Sequence, residues 1–304
     1  MNYKNILCEI FEETQVYKNE GESVSYIPEL AKVNPNQYGI YLQTISGDKV
    51  GIGDYQTPFS IQSISKVFTL AIGFSILGES LWERIGVEPS GNAFNSIVQL
   101  EIEKGKPRNP LINAGALVLS DILISHLKNP LDDYLDFVRK LAKCSTIQYD
   151  ESIAKSEKEY GYLNASIANM LKHYGNIEND VDDVLSFYFH QCAVTMDCEQ
   201  LTQAYLPFAN HTEPFTYGSV NLTASQVKRI NAIMLTCGFY DESGEFSYLV
   251  GLPGKSGVGG GISAICPHEY AVTVWSPRLN KKGNSVLGVK ALELLTTKTK
   301  LSIF

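Results

Sequence analysis

Residues 59–77, FSIQSISKVFTLAIGFSIL, carry one charged side chain, Lys66, and no other charge falls between Asp54 and Glu79. A surface helix needs several polar residues along its outer side. This run has Ile61, Ile64, Val67, Phe68, Leu70, Ile72 and Phe74 all round it, so the rest of the chain must enclose it. Enclosing the helix also encloses an amine, which is costly unless the charge is paired or lost. Ser63 lies three residues before Lys66, so one helical turn brings the two onto a common face.

The chain is long enough to build such a core. At 304 residues it exceeds the usual single-domain length, so one large domain or two intimately packed lobes are both expected. Hydrophobic content of 44% with 19% charged residues is ordinary globular composition. A formal net charge of −8, without a Lys/Arg run, argues against nucleic acid as a partner. The N-terminal MNYKNILCEIFEETQVYKNE mixes acids among its apolar positions, unlike a secretory signal. The string VFTLAIGFSIL has 11 residues, short of the roughly 20 a bilayer span needs, so the expectation is a soluble protein with no membrane partner. Six cysteines without CxxC spacing read as reduced thiols of a cytoplasmic protein.

No repeat, low-complexity tract or Pro/Gly/Ser-rich linker interrupts the chain, which favours one domain over residues 1–304. Tyr38 to Ile45 and Val50 to Ile52, joined across Ser46-Gly47-Asp48-Lys49, read as a β-hairpin. Helical spacing follows around 63–78, 111–127, 132–143, 164–173, 181–190, 198–206 and 224–236. After Gly244 the pattern reverts to β-type runs, FSYLVGL, GGISAIC and YAVTVWS, and a last helix covers about Val286 to Thr297. Strands at both ends with helices between predict an α+β fold. Its antiparallel sheet is built from the N- and C-terminal strands and flanked by helices, with a helical lobe inserted at roughly 80–235.

Ser-x-x-Lys is a cheap pattern. It occurs at Ser46, Ser63, Ser125, Ser152 and Ser225, and only Lys66 has predominantly apolar neighbours. Desolvation lowers a lysine pKa, which would turn that amine into a base able to take a hydroxyl proton. Ser63 also stands near the start of its helix, where the dipole favours an alkoxide. The alternative is a Lys66 that reaches solvent at the helix end.

VGLPGKSGVGGGI, residues 250–262, is neither a phosphate loop nor a dinucleotide fingerprint, because Leu249 and Ile262 stand where glycines belong. Glycines between strands permit a tight turn, or a close backbone approach with N–H groups aimed at a developing oxyanion.

Ser63-x-x-Lys66, then Tyr162-x-Asn164, then Lys255-Ser256-Gly257 resembles the three-part signature of serine β-lactamases and penicillin-binding proteins. Longer strings select another branch of that fold: YIPELAKV at 26, QSISK at 62, EPSGNAFNS at 88, NPLINAGA at 109, SEKEYGYLN at 156, FYFHQCA at 187, GFYDESGEFSYLVGLPGKSGVGGGI and WSPRLNKKGNSVLG. From about Tyr26 to the final helix the chain resembles the serine-dependent glutaminases of bacteria and mitochondria. The resemblance implies a β-lactamase/transpeptidase-like fold and hydrolysis of L-glutamine to L-glutamate and ammonia without a metal or organic cofactor. It also implies a homodimer or homotetramer.

By the same resemblance Ser63 is the nucleophile, Lys66 its base and Tyr240 a proton relay. The N–H groups of Ser63 and Val258 hold the oxyanion, and Tyr26, Asn113, Glu157, Asn164 and Tyr188 bind glutamine. Other readings stand beside these. Tyr26 and Tyr188 fit ordinary core aromatics, Asn113 and Asn164 fit helix caps, and Glu157 lies in a charged run, SEKE, that fits a solvated face. The chain departs from the family at Leu163, where Arg is usual, and at Ala193, where Ser is usual. Two other functions remain open here: a β-lactam-reactive or peptidase-like serine acyltransferase, disfavoured without an export signal, and a non-catalytic oligomeric binding module, disfavoured by the presence of Ser63, Lys66, Tyr240 and Val258.

Overall fold

The structure of the chain is a computed structural model that describes residues 1–90, 97–210 and 214–304. Within the string EPSGNAFNS, positions 91–96 lie outside the described residues.

Gly47, at φ 104°, turns the chain between strands β1 (Gly39–Thr44) and β2 (Lys49–Gly53), forming the expected hairpin. Three strands from the far end complete an antiparallel sheet: β3 (Gly254–Ser256), β4 (Gly261–Cys266) and β5 (Tyr270–Trp275). The spatial order is β2–β1–β5–β4–β3, with Gly39 opposite Trp275 and Thr44 opposite Tyr270. Alternation divides the sheet between two cores. Ile40, Leu42, Ile262, Ala264, Val272 and Val274 face one cluster, whereas Tyr41, Ile265, Ala271 and Trp275 face the other.

Two terminal helices cover the first face. Helix α1 (Tyr3–Glu13) buries Tyr3, Leu7 and Ile10 at helical spacing and was not anticipated, because its acids mask the period. Lys298 on α11 (Val286–Thr299) reaches Glu9 and Glu13 of α1 at 2.9 and 2.8 Å. Between the two ends of the chain run α2 (Lys66–Leu77), α3 (Asn113–His126), α4 (Pro130–Ala142), α5 (Glu151–Tyr160), α6 (Tyr162–His173), α7 (Val181–Cys192), α8 (Cys198–Ala209), α9 (Ala224–Cys237) and α10 (Ser243–Leu249). The expected strand FSYLVGL is instead α10 and its exit. Phe246, Leu249 and Val250 join one core while Tyr248 stands exposed between them, so the helical period wins over β composition.

Helix α2 is the central element, and Lys66 to Phe74 are all buried. Gly73 lies so close to α3 that a Cβ there would come within 2.6 Å of the Leu119 side chain. The helical run Gln62–Arg84 spans 23 residues, longer than its apolar string suggested, and passes for a membrane span by length and composition. In the fold 67% of its apolar window is buried, as in the core helix of a globular protein.

Helix α3 is anchored by Asp121, whose side chain is fully enclosed. It pairs with Arg84 at 2.6 Å and accepts the Glu178 and Asn179 backbone N–H groups at 3.0 and 2.8 Å. Asp121→Ala would take from Arg84 its ion-pair partner, leaving it only Asn176, and would strip the Glu178 and Asn179 N–H groups of their acceptor, at a cost of about 3 kcal/mol. Thermal unfolding should show a midpoint lowered by several degrees; an unchanged midpoint would remove this cluster from any account of stability.

Candidate active site

The chain enters α2 through a 3₁₀ turn, Gln62–Ser65, whose first internal bond runs from Ile64 N–H to the Ile61 carbonyl at 3.0 Å. The Ser63 N–H therefore has no partner within the turn. Gln62 is held at φ 48°, a left-handed conformation that costs a long side chain roughly 1–3 kcal/mol. Its amide donates to Ser60 Oγ at 2.9 Å, and Ser60 Oγ donates to the Cys192 carbonyl at 2.8 Å. The turn is thus tied to α7.

The turn from β3 to β4 lies against this segment. A Cβ at Gly257 would fall 2.6 Å from the Ile61 carbonyl and 3.4 Å from the Ser63 nitrogen, and one at Gly259 would fall 2.2 Å from the Ser60 carbonyl. Only glycine permits that approach. It brings Val258, between the two glycines, beside Ser63. Trp275 stacks on Phe59 and donates its indole N–H to the Gly259 carbonyl at 3.0 Å, which fixes the turn from the other side. The glycine run therefore serves both readings open in the sequence, a tight turn and a close backbone approach.

Lys66 does not reach solvent. It is 0% exposed, and its Nζ donates to Asn113 Oδ1 at 2.6 Å, while Asn113 Nδ2 donates to Asn164 Oδ1 at 2.9 Å. Burial lowers the amine to about 8, against the pull of Cys192 and Glu157. Tyr240, itself at φ 57°, hydrogen-bonds the Ser63 hydroxyl and donates to the Ser256 carbonyl at 3.3 Å. Burial raises its phenol above the usual range.

Glu157 is not on a solvated face. The charged run SEKE lies on α5, and Glu157, 7% exposed, points inward with Ser156, while Lys155, Lys158 and Glu159 face water. Burial raises its carboxyl to about 7, with Gln62 and Lys66 holding it back from rising further. Its Oε1 has no hydrogen-bond partner among the described residues. Neither asparagine is a cap: α3 is capped by Ile112 and α6 by Gly161, which leaves Asn113 and Asn164 inside their helices.

These groups meet at a cavity of about 270 Å³. Tyr26, Ser63, Asn113, Glu157, Asn164, Tyr188 and Val258 line it, with Tyr26 at the rim, 60% exposed, and Tyr188 buried. Lys66 and Tyr240 stand behind the wall, joined to it through Asn113 and Ser63. Sequence reading missed Gln62, Tyr160 and Cys192 in the lining. Gln62, the one amide side chain in residues 59–77, was the available signal. Leu163 sits at the mouth, 42% exposed, and Ala193 is enclosed with Val24, Ile27 and Ile153, where a hydroxyl would meet apolar neighbours. Among the described residues no group of three His, Cys, Asp or Glu side chains is placed to hold a metal ion.

Residues 21–304 match the family model Glutaminase. The glutaminase of Christiangramia forsetii is 52% identical over 304 residues, covering all of both chains. That of Aliarcobacter butzleri is 52% identical over 306 residues, again covering both completely. Among solved structures, a probable glutaminase from Bacillus subtilis complexed with 6-diazo-5-oxo-L-norleucine superposes with a TM-score of 0.88 at 31% identity, over 100% of this chain and 98% of that one. The glutaminases in this comparison have the β-lactamase-like fold, which agrees with the expected α+β architecture. Sequence, fold and cavity agree, and this chain belongs to the glutaminase family, whose reaction, the hydrolysis of glutamine, it carries out.

Proposed function

We propose that hydrolysis proceeds through a glutamyl ester on Ser63, with Lys66 as the base. The observation that carries this reading is a fully buried amine, lowered to about 8, one turn from a serine that faces the cavity. Ser63 Oγ attacks the side-chain amide carbon, and its proton passes to Lys66. The oxyanion forms between the N–H groups of Ser63 and Val258, a reading supported by the close approach of Gly257 and Gly259 to residues 60–63 and by the cavity that Ser63 and Val258 share. As the C–N bond breaks, Lys66 returns that proton to the departing nitrogen, which leaves as ammonia, with Tyr240 bridging Ser63 and the strand behind it. Water then attacks the ester, again with Lys66 as base.

Recognition rests on the opposite wall. The free Oε1 of Glu157 takes the substrate's α-ammonium, and Asn164, Tyr188 and Tyr26 hold the α-carboxylate. Asn113 couples the two halves, because its oxygen takes a hydrogen bond from Lys66 and its nitrogen gives one to Asn164. Six free thiols, four of them buried, support a reducing compartment, and we place the enzyme in the cytoplasm.

A reactive glutamine analogue tests the site directly. 6-Diazo-5-oxo-L-norleucine should label Ser63 alone, and excess glutamine should block it. N-acetylglutamine should neither react nor protect, because a free α-ammonium is required. Benzylpenicillin should leave the mass unchanged. Peptide mapping that places the label elsewhere, or a penicillin adduct on Ser63, would overturn the reading.

A further inference from the structure

Tyr240 reaches the site on a backbone that tyrosine rarely adopts. At φ 57° it opens a 3₁₀ turn, Tyr240–Glu242, between α9 and α10. A bulky residue with positive φ is strained, and the strain persists only where the surroundings fix the conformation. Inside the segment three bonds hold it. Glu242 N–H donates to the Phe239 carbonyl at 2.9 Å, and Ser243 Oγ accepts the Phe239 N–H at 3.0 Å and donates to the Tyr240 carbonyl at 3.3 Å. All three join neutral groups.

A tie of another kind comes from the loop between β5 and α11. The Glu242 carboxylate accepts Asn280 Nδ2 at 2.9 and 3.2 Å, and it accepts Asn284 Nδ2 as well. Asn284 is fully enclosed and also donates to the Phe239 carbonyl at 3.4 Å. The loop is braced enough to serve as an anchor. Asn280 Oδ1 accepts the Lys282 and Asn284 N–H groups, each at 3.0 Å, and Asn280 N–H donates to the Asn284 carbonyl at 2.8 Å. At its tip a Cβ on Gly283 would lie 3.6 Å from the Tyr240 ring and 3.8 Å from the Val258 side chain. The loop thus abuts the reacting end of the site. Asp241 and Lys282 add an ion pair, but it lies at the surface, where such pairs contribute little.

We propose that Glu242 is a positioning residue: by gripping Asn280 and Asn284 it holds the Tyr240 turn left-handed and keeps the phenol on Ser63. This rests on the part given to Tyr240 in the proposed mechanism. Hydrogen bonds from amides to a carboxylate are charge-assisted, and so stronger than the neutral bonds within the segment. Without them the turn relaxes toward an ordinary backbone, and the ring carried on its first residue leaves Ser63. A shift of about 1 Å at a reacting group is enough to cost roughly 100-fold in rate. Glutamine binding, on the Glu157 and Asn164 wall, does not pass through this turn.

Asn280→Asp keeps the side-chain shape and the Oδ1 acceptor, removes the donor, and sets two carboxylates against each other. It should lower kcat by about 10- to 100-fold and change KM less than about threefold. The double variant Glu242→Gln/Asn280→Asp exchanges donor and acceptor across the same contact. It should recover kcat to within about threefold of wild type, a rescue that general destabilisation would not give. In a Tyr240→Phe background Asn280→Asp should cost less than about twofold more, because the hydroxyl being positioned is gone. Normal kcat in Asn280→Asp, no recovery in the double variant, or full additivity with Tyr240→Phe each overturns the proposal. Should Asn280→Asp not fold, the same cycle run with Glu242→Gln decides, since that change sets an amide donor against an amide donor. Tyr240→Phe alone separates the two ideas. Wild-type kcat there would remove Tyr240 from the mechanism and this proposal with it, whereas a slow Tyr240→Phe beside a normal Asn280→Asp removes this proposal only.

Discussion

Ser63→Ala should lower kcat for glutamine hydrolysis by at least about 10⁴-fold while calorimetry still detects glutamine binding. The substitution removes the attacking oxygen and leaves the Glu157 and Asn164 wall intact. Lys66→Ala should fall as far, because an unactivated hydroxyl is a poor nucleophile at neutral pH. Lys66→Arg should not recover activity: a guanidinium stays protonated, and the site is built around a narrower amine held by Asn113. Retention of more than about 1% of wild-type kcat in Ser63→Ala would require a different nucleophile.

Glu157→Gln should raise KM for glutamine by roughly 30- to 1000-fold, the range expected when a buried charge loses its partner. The pH dependence gives an independent signature. Glu157, raised to about 7, must be ionised to receive an ammonium, and Lys66, lowered to about 8, must be neutral to act as base. Both requirements fail as pH falls. Wild-type kcat/KM should therefore drop about tenfold per unit between pH 8 and 7 and more steeply below 7. Glu157→Gln should abolish only the steeper part. A profile with the same two slopes in the variant would show that another group, and not Glu157, anchors the substrate.

The central helix was legible because α2 has no polar side, and nothing but burial accommodates such a sequence. The sheet was legible too, since β4 and β5 carry unbroken β-type runs. Local pattern failed where tertiary packing decided. Glu157 reads as surface because three of its neighbours are surface, and only the docking of α5 beside α7 turns one carboxylate inward. Asn113 and Asn164 read as caps because cap preference is local, whereas their hydrogen bond joins two helices through residues fifty-one positions apart. Gln62 carried no signal beyond its polarity, since a left-handed backbone in a non-glycine residue leaves no mark in sequence. The contact between Ser60–Ser63 and Gly257–Gly259 is equally non-local, and the glycines announced only that something would come close.

The pairing of β1 with β5 also governs the order in which the enzyme comes into being. A ribosome releases β1, Ser63 and Lys66 early, and at roughly 5–20 residues per second the strands that flank Val258 follow much later. Until they emerge, β1 is covered on one edge by β2 and open on the other, exposed to pairing with the wrong strand. The nascent chain in that interval has a serine and an amine but lacks Val258, the turn that would hold the oxyanion and the sheet that keeps the amine from water. On the Ser63–Lys66 reading, a polypeptide that ends before Val258 should therefore show no glutamine hydrolysis, and ammonia release from such a fragment would count against that reading.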